Sequence, residues 1–97
     1  MDNILKLKKP IKIDGEEVTE LKYDLDAITG ADVQQVTQEM QKLNMVIAVP
    51  ELDTNYHAML FAKASGIDYT DMQRMSLKDY TTATGVVRDF FLADMEA

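Results

Sequence analysis

Leu5, Leu7, Ile11 and Ile13 alternate with lysines at period two, Asp14-Gly15 follows, and Val18 to Tyr23 resumes an extended pattern. Alternation of this kind marks a half-buried strand, and Asp-Gly suits the positive φ angles of a tight loop, so residues 5–23 are predicted as a β-hairpin. A two-residue loop would set Ile11 against Val18, Lys12 against Glu17 and Lys9 against Glu20, whereas a four-residue loop would pair Ile13 with Val18; both registers stand at this level. Pro10 has no N–H for a ladder, which makes the first strand an edge or a bulged strand. Two strands alone are marginally stable in water, so the hairpin must pack on helices, extend another sheet, or order on a partner.

Beyond Tyr23 the apolar period changes to that of a helix. Thr29-Gly30-Ala31-Asp32 has capping-box spacing, and Val33, Val36, Met40 and Leu43 recur at i, i+3, i+7 and i+10 as one stripe. Thr54 or Asp53 caps a second helix that carries Met59, Leu60 and Phe61 to Ser65, with Gly66 placed to end it in the left-handed conformation. Ser76-Leu77-Lys78-Asp79 opens a last helix with Leu77, Tyr80, Thr84, Val87 and Phe91 on one face. Thr81, Thr82, Thr84 and Gly85 cost that helix roughly 2–3 kcal/mol relative to alanine, so tertiary packing must hold it. Between these elements, Met45 to Val49 is an apolar run stopped by Pro50. It reads either as a buried strand or as the end of the first helix, and its β-branched residues lean it toward extended structure. Asp68 is placed to cap one short helical turn, and Ala93 to Ala97 read as a frayed tail.

The pattern predicts an α+β, mainly α, single domain over residues 1–97: a β-hairpin (5–23), then three to four helices (29–92). Length agrees, since 97 residues suffice for one core. The chain has no Cys, which removes disulfides, thiolate nucleophiles and Cys-ligated metals. The segment from Met1 to Lys12 lacks the apolar stretch of a signal peptide, and no run approaches the roughly 18 apolar residues of a membrane span, so a soluble, cytoplasmic protein without membrane contact is expected. The net charge of -7 repels phosphate backbones. Lys6, Lys8, Lys9 and Lys12 make the first 13 residues locally basic, about +3, but these lysines are best read as guards of an exposed strand edge, and no nucleic-acid partner is expected.

Candidate chemistry is sparse. His57 is the single His, with no second imidazole or thiol to share a metal; Asp53 lies one helical turn before it, a spacing a base and its orienter would use, yet no nucleophile is patterned nearby. Asp14, Glu16, Glu17 and Glu20 do not follow the spacing of a calcium loop, and Gly15, Gly30, Gly66 and Gly85 are too scattered to build a phosphate-binding loop. No metal, cofactor or small-molecule substrate is therefore expected, and the chain does not read as an enzyme. Asp24, Asp26 and Asp32 read as a solvated approach to a helix N-terminus. What stands out is seven methionines, including Met72 and Met75, which suit either irregular core gaps or an adaptable apolar surface. In Phe90-Phe91-Leu92, Phe90 is rotated about 100° from the stripe that holds Phe91 and tends toward exposure.

The order of these features carries a resemblance. Lys9-Pro10-Ile11-Lys12-Ile13-Asp14-Gly15 through Leu21, then Ala64-Ser65-Gly66-Ile67, then Met75-Ser76-Leu77-Lys78-Asp79-Tyr80 and a helix ending in Phe90-Phe91-Leu92 resemble the tail assembly chaperone family of long-tailed bacteriophages and prophages, over about Leu5 to Leu92. The resemblance implies a non-catalytic protein that binds the tape measure protein, keeps it soluble, and helps bring tail tube protein to it in the bacterial host cytoplasm, without remaining in the mature virion. It leaves room for a homo-oligomer and for a longer frameshifted product. On that reading, client contact is expected on the outward side of the last helix and the methionine-bearing turn, at Met72, Met75, Phe90 and Leu92. The rival reading is a small acidic regulator or inhibitor on a basic partner surface, whose association would collapse with salt where an apolar chaperone contact would persist.

Overall fold

In the computed structural model, which describes residues 3–47, 49–50 and 52–96, the elements run β1 (Asn3–Ile13), β2 (Glu16–Tyr23), a 3-10 turn (Leu25–Ala27), α1 (Gly30–Lys42), α2 (Thr54–Ser65), α3 (Tyr69–Gln73) and α4 (Leu77–Glu96). This is the α+β, mainly helical arrangement predicted from the pattern. Asp14 and Gly15 alone connect the strands, both at positive φ, 53° and 82°, as a type I′ loop requires. The register is that of the two-residue loop, with Ile11 opposite Val18 and Lys12 opposite Glu17. The expected Lys9–Glu20 pair is replaced by Lys6–Glu20, because residues 7–10 bulge out of the ladder opposite Thr19. Pro10 sits in that bulge, where its missing N–H costs no ladder bond.

Leu5, Ile11 and Leu21 are buried on one face of the hairpin, while Lys6, Lys8, Lys9 and Lys12 lie exposed. The covering element is α2. Its seven consecutive residues Tyr56 to Ala62 are all buried, because α2 packs against α1, α3, α4 and β2 at once. Phe61 is fully enclosed, with the Tyr23 ring 5.1 Å from its own. Asp53 caps α2 by accepting from Tyr56 N–H at 2.8 Å, and Gly66 ends it at φ 72°.

In α1, Thr29 and Asp32 cap each other reciprocally, with Thr29 N–H to Asp32 Oδ2 at 3.0 Å and Asp32 N–H to Thr29 Oγ1 at 3.3 Å. Val36 and Met40 are buried, but Leu43, expected on the same stripe, is 50% exposed. The chain leaves the helix there. Asn44 adopts φ 59°, and Met45 N–H returns to Met40 O at 2.9 Å, which closes α1 before Leu43 can complete its turn. The run after it is neither strand nor helix: Met45 to Ile47 are irregular, Val46 is 85% exposed, and Ala48 lies outside the described residues.

Along α4 the buried line passes through Asp79, Ala83, Val87 and the half-buried Phe91. Leu77, expected on the core face, is 81% exposed: it is the first residue of α4, and at 100° per residue it lies about 100° from the centre of that line. Thr84 is buried with its hydroxyl satisfied by Tyr80 O at 3.0 Å. The helix continues through Ala93–Glu96, over most of the segment read as a frayed tail.

Candidate functional site

The last helix meets the hairpin at its first turn. Asp79 sits at the position where a capping box would turn its carboxylate back on the helix, and its own N–H donates to Ser76 Oγ at 3.2 Å. The carboxylate crosses instead to the bulge of β1, accepting from Lys8 N–H at 2.9 and 3.0 Å and from Lys9 N–H at 3.1 Å. The bulge frees these donors from the ladder, and Asp79, 2% exposed, satisfies them. Burial pushes the Asp79 carboxyl up, but the Lys8 and Lys9 amides, the Ser76 hydroxyl and the Lys8 charge outweigh it and hold the group below the ordinary 3.8. A second tie comes from α3, whose C-cap Arg74 reaches Lys12 O at 2.6 Å while pairing with Asp71.

This junction corrects the expectation for two methionines. Met72 is fully buried and Met75 is 8% exposed, because α3 contacts both α2 and β1, and Met72 on that helix and Met75 in the turn after it fill the irregular gap. Neither lies on an outward surface. Phe90 and Leu92 do, at 45% and 37% exposed.

Phe90 stands at the mouth of an apolar groove of about 180 Å³, lined by Leu25 and Ile28 around the 3-10 turn, Val33 of α1, Leu60 of α2, and Val87 and Phe91 of α4. The wall has no long polar side chain because every contributor is the apolar member of its own amphipathic stretch. On another side of α4, Leu52 with Thr81, Gly85 and Arg88 lines a second, more polar cavity that includes His57. His57 is 2% exposed, its Nε2 lies 2.8 Å from Pro50 O, and its ring stacks on Phe91 at 5.5 Å. The Asp53 carboxylate caps α2 by accepting from Tyr56 N–H, one turn before the buried His57 ring.

Pattern reading missed a further apolar surface. Leu43, Val46, Val49 and Leu52 are exposed in the connection from α1 to α2. The available signal was Asn44 directly after the stripe: an αL terminator there ends the helix, after which Val46 and Val49 face outward while Met45 and Ile47 pack against the core.

A family model described as phage tail assembly chaperone proteins, E, or 41 or 14, matches residues 5–92 of the 97. The chain belongs to this tail assembly chaperone family. Comparison with curated proteins and with solved structures finds no match. Membership in the chaperone family points to a non-enzymatic role in contact with tail proteins. It also gives the hairpin junction a meaning: the Lys9-Pro10 bulge and the Ser76-to-Tyr80 segment, far apart in the chain, meet through Asp79. Among the described residues, no helix is long and apolar enough to cross a membrane.

Proposed function

We propose that this chaperone binds the tape measure protein in the host cytoplasm, holds it soluble, helps recruit tail tube protein to it, and is absent from the finished virion. The observation that carries the reading is an uncovered apolar surface, Phe90 and Leu92 beside the groove, on a family member with net charge -7. Exposed apolar side chains of this size on a small chain mark a contact surface, and the charge keeps a loaded complex soluble. Self-association through the same surface in the unloaded state fits this arrangement, with the client displacing the second copy.

Co-expression with the adjacent very long reading frame tests the proposal. The long product is expected to remain soluble and to co-purify through a high-salt wash, since apolar contacts are not screened. A product that stays insoluble while this chain remains alone in the supernatant removes the reading. Replacement of Phe90 and Leu92 by Ser is expected to lower the soluble fraction of the client severalfold while the chaperone itself still folds and melts cooperatively, its melt lowered by a few degrees.

A further inference from the structure

The two edges of the hairpin are finished differently. On the β1 side, Lys8 N–H and Lys9 N–H donate to Asp79 at 2.9 and 3.1 Å, and Lys12 O accepts from Arg74 at 2.6 Å. Pro10, the bulge and the exposed Lys6, Lys8, Lys9 and Lys12 blunt what is left of that edge. β2 has none of these devices. It contains no Pro or Gly, and the bulge lies on its partner. Among the described residues the sheet has two strands, and no β2 backbone group is hydrogen-bonded outside the ladder. Residues that flank a two-residue loop form a bonded pair and bonding alternates from there, so Glu16 and Val18 bond to β1 while Glu17 and Thr19 turn N–H and C=O to the free side. The Lys12 carbonyl agrees with this alternation: Lys12 stands opposite Glu17, and its oxygen points out to Arg74 instead of across to β2. Thr19 faces the bulge and has no register partner on β1.

We propose that the free edge of β2 pairs with the same edge of a second copy, antiparallel about a two-fold axis at Thr19, to give a four-stranded sheet in the order β1-β2-β2-β1. Closure and charge both select a copy of this chain as the occupant. Each copy has one finished edge and one open edge, so joining the open edges leaves only finished ones and assembly stops at two. A two-fold antiparallel pair sets one residue opposite its own equivalent. Centred on Val18 it opposes Glu16 to Glu20, and centred on Glu17 or Glu20 it opposes that acid to itself. Centring on Leu21 shortens the paired stretch. Centred on Thr19 the pair opposes no like charges, and it sets Glu16 against Lys22 of the other copy, once on each side of the axis. These are the two exposed β2 charges that the chain's own sheet leaves beside apolar residues: Glu16 faces Ile13 and Lys22 faces Ile4, whereas Glu17 and Glu20 face Lys12 and Lys6. Backbone bonds then join Thr19 to Thr19 and Glu17 to Leu21, about six in all. The contact is distinct from any self-association through Phe90 and Leu92, which lie toward the other end of α4.

Sedimentation of the full chain over a range of concentrations tests the pairing. Wild type is expected to dimerise as concentration rises, with amide hydrogen exchange at Glu17 and Thr19 slowing in step. E16K sets lysine against Lys22 and K22E sets glutamate against Glu16, so each alone is expected to weaken the dimer severalfold. An equimolar mixture of the two variants is expected to restore it, because both pairs across the axis are then opposite in sign. Both side chains are exposed and face isoleucine, so neither variant breaks an ion pair of the monomer. T19P removes the N–H on the axis and is expected to weaken the dimer about tenfold or more, whereas F90S/L92S should dimerise as wild type does. A wild type that stays monomeric at about 0.1 mM overturns the pairing. So does a dimer that E16K and K22E leave unchanged, or a mixture of the two that dimerises no better than either alone. A dimer lost in F90S/L92S and kept in T19P moves self-association to the apolar end of α4 and overturns it as well. Client solubility on co-expression is read separately, so the chaperone reading stands or falls by its own result.

Discussion

The two ends of α4 are built by opposite logics. At its first turn the buried polar groups are engaged: the Asp79 carboxylate serves two backbone amides of the β1 bulge, Arg74 ties the same strand from α3, and Met72 fills the space between. Near its last turns Phe90 and Leu92 stand partly in solvent beside an apolar groove. Of the segments that carry the family resemblance, the hairpin with Lys9-Pro10 and the helix start with Asp79 lie at the first end, and Phe90-Phe91-Leu92 lies at the other. The first two dock a hairpin too small to stand alone. In this chain the recognisable sequence therefore spans both the docked scaffold and the exposed apolar end proposed for client contact.

The largest effect expected from breaking this contrast is at Met72. M72A empties a fully buried site and is expected to cost roughly 2–5 kcal/mol, read as a drop in urea midpoint. F90A, at a site 45% exposed, is expected to cost about 1 kcal/mol or less. A reversed ranking would mean that the buried turn and the open surface have been exchanged.

Asp79 sharpens the contrast next. D79A strands two amides that the bulge has already withdrawn from the ladder, and the expected loss is roughly 2–4 kcal/mol. D79N retains one acceptor and should recover part of it. Because the folded-state carboxyl titrates below the ordinary 3.8, its contribution is fully present above that value and is lost as pH falls through the lower folded value. The stability gap between wild type and D79N should therefore be constant from pH 7 to 5 and shrink below about pH 4. Asp32, held down chiefly by the Thr29 amide, adds to the same acid limb and remains in both proteins. A gap that persists unchanged to pH 2 would show that the carboxylate charge is not what holds the bulge.

Local signals carried most of the architecture. Asp-Gly marked the hairpin while leaving its register open between two loop lengths, Thr29 and Asp53 marked helix starts, and Gly66 marked a helix end. The misses share a cause, which is that periodicity reports a face and not what covers it. Leu77 and Leu43 continue their stripes on paper, but each lies where the covering element has run out: one at the rim of the α4 contact, the other past the αL turn at Asn44. Met72 and Met75 failed in the other direction. Methionine excess is compatible with a sticky surface or a filled gap, and only the contact of α3 with both α2 and β1 decides for the gap. The role of Asp79 was hidden because its spacing from Ser76 already had a local explanation as a cap. Of the expected contact residues, Phe90 alone carried its own signal, an aromatic about 100° off the stripe.

The smallest expected effect on stability, and the finest test of the contrast, is in the α1–α2 connection. Val46 and Leu52 are 85% and 62% exposed, so V46S/L52S removes little buried area and should shift stability by no more than about 0.5 kcal/mol per site. If the apolar surface of the second end extends around α4 through the cavity shared by Leu52, Gly85 and Arg88, the same double variant should lower the soluble fraction of a co-expressed client, though less than the Phe90 and Leu92 replacements. Solubility that is unchanged confines contact to the groove side of α4. A melt that drops by several degrees would instead place Val46 and Leu52 with the scaffold, since a loss of that size in a domain of this length corresponds to about 1 kcal/mol that two solvent-facing side chains do not hold.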